Sequence, residues 1–79
     1  DPDNRSMRYN LACALSFHLR DIDGANALLE SYLATATRSE LQHAGIDPDL
    51  DPLRDAPRFR AMFAEAQARV AAADGASGR

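Results

Sequence analysis

The stretch Ser6-Met7-Arg8-Tyr9-Asn10-Leu11-Ala12-Cys13-Ala14-Leu15-Ser16-Phe17-His18-Leu19 decides the fold class. Met7, Leu11, Ala14, Leu15, His18 and Leu19 recur at the i, i+3, i+4, i+7 spacing of one helix face. Tyr9, Ala12, Cys13 and Phe17 line a second apolar stripe. A helix with two such stripes is expected to be covered on two sides, and Asn4 or Ser6 can cap its first turn through a short side-chain oxygen.

Working outward, the polar run Arg20-Asp21-Ile22-Asp23-Gly24 ends this pattern, with Asp21 or Asp23 available to cap a second helix. Ala25, Leu28, Leu29, Tyr32 and Leu33 form the apolar stripe of that helix, with Asn26, Glu30 and Ser31 falling off it. The two segments predict a helical hairpin over 6–36. A short third helix follows over 38–44, with Ser39 as a cap, Leu41 as anchor and Gly45 at its C′ position. Two Asp-Pro pairs then disfavour a regular helix through 45–56, because proline pushes the residue before it out of the helical region. An ordered, turn-rich linker with Ile46, Leu50 and Leu53 pointing inward is expected. Asp55-Ala56-Pro57 is a helix start with proline in the first turn, where its missing N–H does no harm. The final helix is expected over 57–72, burying Phe59, Met62, Phe63, Ala66 and Val70 while Arg58, Arg60, Glu65, Gln67 and Arg69 face away. Residues 74–79 read as a disordered tail. No segment alternates with period two, so the fold class is all-α, one domain over 1–73. Leu11, Leu15, Leu28, Leu29, Leu53, Phe59, Met62 and Phe63 are its expected core.

Composition agrees with a small folded domain. The chain has 79 residues, 46% of them hydrophobic and 27% charged. A domain of this size buries only about 60% of the surface of its unfolded chain, so its stability is marginal. A net charge of -3 supplies no basic field for nucleic acid or an anionic membrane. The single cysteine, Cys13, cannot form an intramolecular disulfide, which favours a reducing compartment, the cytoplasm by default. The basic residues are all arginine, as in chains from GC-rich genomes. The sequence opens on Asp1 without an initiator methionine and reads as a piece of something longer.

Two resemblances add to this reading. Tyr9-Asn10-Leu11-Ala12-Cys13-Ala14-Leu15 resembles the first helix of a tetratricopeptide repeat, with Leu11 at that motif's leucine, Ala12 at its small residue and Leu15 at its large aromatic position. Ala25 and Leu29 match the alanine and large apolar residue of the second helix. The sequence departs from the motif at Arg8, where tryptophan is frequent, at Tyr32, where alanine is usual, and in an inter-helix turn that is one residue longer and lacks glycine-aspartate. The segment from Asp47 to Phe59 looks like the closing segment after the last such repeat in bacterial multidomain proteins, among them class III adenylate or guanylate cyclases, protein kinases and transcriptional regulators. Together they imply the C-terminal end of a helical solenoid, a non-catalytic scaffold for protein or peptide partners, with small residues letting helices approach and large ones filling the gap to the next hairpin. The alternative they imply is the regulatory or oligomerising tail of a signalling enzyme such as a class III cyclase. On the repeat alignment Arg8, Asn10 and Phe17 are the partner-binding residues. Arg8 suits a carboxylate and Asn10 a peptide backbone, although a local hydrogen bond accounts for Asn10 equally well. The second stripe of the first helix would meet a preceding hairpin, so the isolated chain is expected to self-associate.

Catalytic and metal motifs are weak. Asp47, Asp49 and Asp51 alternate like the start of a calcium loop, but Pro52 stands where that loop has glycine and Arg58 where it has a bidentate glutamate. Cys13 and His18 lie roughly 140° apart on a helix, so Cys13, His18 and His43 make a poor zinc set. No phosphate loop, nucleophile elbow or acid–base pair is present. No catalytic residue, metal or cofactor is expected.

Overall fold

The computed structural model describes the backbone of residues 4–77 and the side chains of residues 4–73. Among the described residues, four α-helices and one 3₁₀ helix follow in order: α1 (Arg5–Phe17), α2 (Ile22–Ala34), α3 (Arg38–Ile46), the 3₁₀ segment η1 (Pro48–Leu53) and α4 (Pro57–Ser77). There is no strand among the described residues, and the fold is all-α.

Local chemistry sets the boundaries. Asp21 caps α2 by accepting from the Gly24 N–H at 3.0 Å. Thr37, not Ser39, caps α3 in a reciprocal capping box: its hydroxyl accepts from Glu40 N–H at 3.2 Å, and the Glu40 carboxylate accepts from Thr37 N–H at 3.0 Å. Gly45 lies inside α3, which runs to Ile46, and it does not take the left-handed conformation of a glycine stop. Asn4 precedes α1 with a φ of 49° and no side-chain cap. The last helix continues past the expected end near Ala72 to Ser77, and residues 78–79 lie outside the described part.

The hairpin core forms where α1 meets α2. Tyr9, Ala12, Cys13 and Ser16 are the buried residues of α1, and Ala25, Asn26, Leu29, Tyr32 and Leu33 those of α2. Ala12 and Ala25 have no accessible surface; their small side chains let two backbones approach closely. Of the two candidate stripes on α1, the fold therefore chooses the second for its interior. Leu11, expected in the core, is instead half exposed, and Phe17 of the second stripe is also exposed. Asn26, expected to fall off the apolar stripe, is buried.

The linker closes the hairpin. A 3₁₀ helix has about three residues per turn, so side chains three apart eclipse. That geometry puts Leu50 and Leu53 on one face of η1, both without accessible surface, against α1 and α2. Ile46 does not join them. It ends α3 pointing to solvent, 81% exposed, because the chain turns at Asp47 from helical to extended backbone. Arg54 holds the turn by donating to the Asp47 carbonyl at 2.8 Å. In α4, Phe59 and Ala66 are buried, and Met62, Phe63 and Val70 pack half-buried against the core. Arg69, expected to face away, reaches the C-terminal end of α2 and donates to the carbonyls of Leu33 at 2.9 Å and Ala36 at 3.0 Å. The Leu33 carbonyl also accepts from the Ala36 N–H at 3.3 Å, so the guanidinium adds a distant cation to the helix end, where carbonyls run short of donors.

Candidate interaction surface

Two features of α1 stand out as functional candidates: its outer face, and a polar cluster beneath its inner face. Met7, Leu11, Ala14 and His18 form one row along the helix. At about 100° per residue, Leu11 lies roughly 160° around the axis from the buried Tyr9. The row therefore looks away from α2. Met7 is 66% exposed and Leu11 50% exposed, and Leu19 just beyond the helix is also exposed. Isolated exposed apolar residues are common, but several on one helical row mark a surface that another element can cover.

The three residues singled out for partner binding do not share one groove. Arg8 is half-buried and donates to the Ser31 hydroxyl of α2 at 2.9 Å. Asn10 and Phe17 lie about 20° apart on the helix, and Arg8 is roughly 160–180° from both. Asn10 is exposed. Phe17 meets the His18 ring edge-on with centroids 5.1 Å apart, and the Arg20 guanidinium stands 6.0 Å from its ring centre. Arg20 itself has a φ of 55°, a left-handed conformation in the turn that leads into the Asp21 cap of α2.

Beneath the inner face, Asp47 gathers groups from three elements. Its Oδ2 accepts from the Tyr9 hydroxyl at 2.6 Å and, weakly, from the Cys13 thiol at 3.8 Å; His43 Nε2 lies 3.4 Å from the same oxygen. Its Oδ1 accepts from the Asp49 N–H at 3.0 Å, capping η1. Burial raises the ionisation range of Tyr9, and the Asp47 carboxylate beside it raises it further. Burial and the adjacent carboxylates of Asp47 and Asp49 push the Cys13 thiol up to about 11. Burial works against the Asp47 carboxylate too, but the Tyr9 hydroxyl and the Asp49 N–H outweigh it, and Asp47 stays below the usual carboxylate range.

A second clasp lies at the other end of α1. Arg5 pairs with Glu40 at 2.7 Å, donates to the Tyr32 carbonyl at 3.3 Å and to the Thr35 hydroxyl, and stands 4.5 Å above the centre of the Tyr32 ring. One guanidinium thus ties the start of α1 to the end of α2 and the first turn of α3.

The alternating aspartates separate in space. One donor atom each from Asp47, Asp49 and Cys13 lies within 4.8 Å of the others. Asp51 faces solvent and pairs with Arg54 at 3.4 Å. His18 is exposed on the far side of α1 from this cluster, while His43 borders it. Sequence reasoning placed Tyr9 and Cys13 on one helical stripe but did not bring Asp47 to them, because it stands 38 and 34 residues away and no local pattern links it to that stripe; the other legible signal was the i, i+4 spacing of His43 and Asp47.

No family model, curated protein or solved structure matches the chain. No helix among the described residues is long and apolar enough to cross a membrane.

Proposed function

We propose that this chain is a non-catalytic protein–protein interaction module, the closing hairpin of a tetratricopeptide-like helical stack, which docks another helix on the outer face of α1. The observation that carries the reading is the solvent-facing row of Met7 and Leu11 on a helix whose opposite side is already filled by α2 and η1. Side chains one turn apart form a ridge that a neighbouring helix can straddle, which is how helical hairpins stack. Full burial of a Leu or Met side chain is favourable by about 1.5–3 kcal/mol relative to exposure. Since Met7 and Leu11 are already partly covered, they contribute less than that each. Association through this row alone is therefore weak and reversible, against the roughly 8 kcal/mol that a micromolar complex needs.

For the isolated chain the available helix is that of a second copy. Sedimentation equilibrium from micromolar to millimolar concentration tests the reading. The expected result is a concentration-dependent rise in average mass, lost in Leu11→Asp with helical circular dichroism unchanged. A mass that stays monomeric over the whole range, or association equally strong in Leu11→Asp, would refute it.

A further inference from the structure

The Asp47 cluster has a composition and a charge balance that hydrogen bonding alone does not use. Cys13 on the inner face of α1 is more than nine-tenths buried and points its Sγ at two carboxylates, with the contact to Asp47 Oδ2 as long as 3.8 Å. The half-buried carboxylate of Asp49 takes no hydrogen bond or ion pair from the described residues, although its backbone N–H is engaged. The Arg54 guanidinium, which reaches this turn, is directed to the Asp47 carbonyl and the Asp51 carboxylate. Two carboxylates and a thiol therefore converge in a partly buried place without a guanidinium to balance them. On the rim, the exposed imidazole of His43 already holds Nε2 3.4 Å from Asp47 Oδ2.

We propose that Cys13, Asp47 and Asp49 bind a zinc ion, with His43 Nε2 supplying the fourth ligand. Bond lengths of about 2.0–2.3 Å place the donors of a tetrahedral zinc site about 3.3–3.8 Å apart. The His43–Asp47 and Cys13–Asp47 separations of 3.4 and 3.8 Å match those edges, and the three donors of Cys13, Asp47 and Asp49 lie within 4.8 Å of one another. His43 Nε2 lies outside that set of three, so the exposed imidazole must swing in from the rim about its side-chain torsions to complete the tetrahedron. One sulfur, one nitrogen and two oxygens suit zinc, a borderline-soft ion, better than calcium or magnesium, which take oxygen ligands alone. The outer contacts a metal site needs are also in place. The Tyr9 hydroxyl and the Asp49 N–H orient the Asp47 carboxylate, as groups around metal-bound carboxylates do. Binding exchanges one proton: the Cys13 thiol releases its proton to solvent as the sulfur–zinc bond forms, and the dication offsets the thiolate and two carboxylates. The ion would clamp α1 to the junction of α3 and η1, the segment that closes the hairpin.

The test uses the whole 79-residue chain, with cobalt(II) as a coloured stand-in for zinc. Cobalt titration is expected to give one equivalent of binding with a near-ultraviolet thiolate-to-cobalt band, displaced by zinc. Apparent affinity should rise about tenfold per pH unit below the thiol range, as one proton leaves. The Asp49 side chain holds no structural hydrogen bond, so Asp49→Asn should keep the fold yet bind at least tenfold more weakly. His43→Gln should change the visible cobalt bands, which report coordination number. Zinc should raise the melting temperature of the wild-type chain far more than that of Asp49→Asn. Absence of the thiolate band would overturn the proposal. So would equal affinity in Asp49→Asn, which would mean adventitious binding to a thiol. A rise in melting temperature with calcium but not with zinc would replace the site with an all-oxygen one and overturn it as well.

Discussion

Leu53 and Ile46 lie seven residues apart in one Asp-Pro-rich segment, and the fold treats them in opposite ways. Leu53 has no accessible surface and packs from η1 against the α1–α2 hairpin, while Ile46 is 81% exposed at the end of α3. Leu→Ala at a fully buried site costs about 2–5 kcal/mol, from lost transfer free energy plus the cavity left behind. A single core in a chain below about 80 residues supplies roughly 3–5 kcal/mol in total. Leu53→Ala is therefore expected to remove most or all of the stability. In a domain of this size 1 kcal/mol corresponds to about 4–8 °C, so the melting temperature should fall by at least about 8–16 °C, or the transition should disappear. Ile46→Ala, on the surface, should stay within about 0.5 kcal/mol of wild type. Thermal melts followed by circular dichroism at 222 nm, backed by urea titration, compare the two directly. Equal losses in both variants would show that the segment packs as a whole. A larger loss in Ile46→Ala would mean that η1 does not close the hairpin with its leucines.

Other expectations follow from the caps and clasps. Arg5 and the capping box hold the Glu40 carboxylate below its ordinary value of 4.5, although burial works against them. A lowered folded-state value means that its contribution is complete above about pH 4.5 and is lost as pH falls through the folded value, so the stability advantage of wild type over Glu40→Gln should shrink below that pH; an advantage that persists unchanged into acid would contradict the pairing. A methyl group at Gly24 would meet the Asp21 carboxylate that caps α2. Gly24→Ala should therefore gain little in wild type, its helix propensity being offset by the disturbed cap, yet gain about 0.5–1 kcal/mol in the Asp21→Ala background; additive effects in a double-mutant cycle would rule out the coupling. Arg69→Met keeps the aliphatic stem but removes both donors to the end of α2, and should speed amide exchange at Ala36 and Thr37 more than in α1. Uniform loss of protection would instead indicate global destabilisation.

Much of the architecture was legible along the chain. Helix periodicity in 6–19 and 25–36, Asp21 as a cap and Pro57 in a first turn are local signals, because each depends on residues within one or two turns. The two alanines that let α1 and α2 approach were legible for the same reason. What periodicity could not decide was which of two apolar stripes on α1 turns inward, since Met7 and Leu11 are as hydrophobic as Tyr9 and Cys13. The tertiary structure decided it by matching the small Ala12 and Ser16 to α2 and by giving the Tyr9 hydroxyl an acceptor in Asp47. That acceptor stands 38 residues away. Its position depends on how α3 ends and how η1 turns, and the same turn buried Leu50 and Leu53 while leaving Ile46 in solvent. Local preferences fix which segments are helical, but the pairing of distant faces is set by where volumes fit and where buried polar groups find partners, and only the assembled chain defines those.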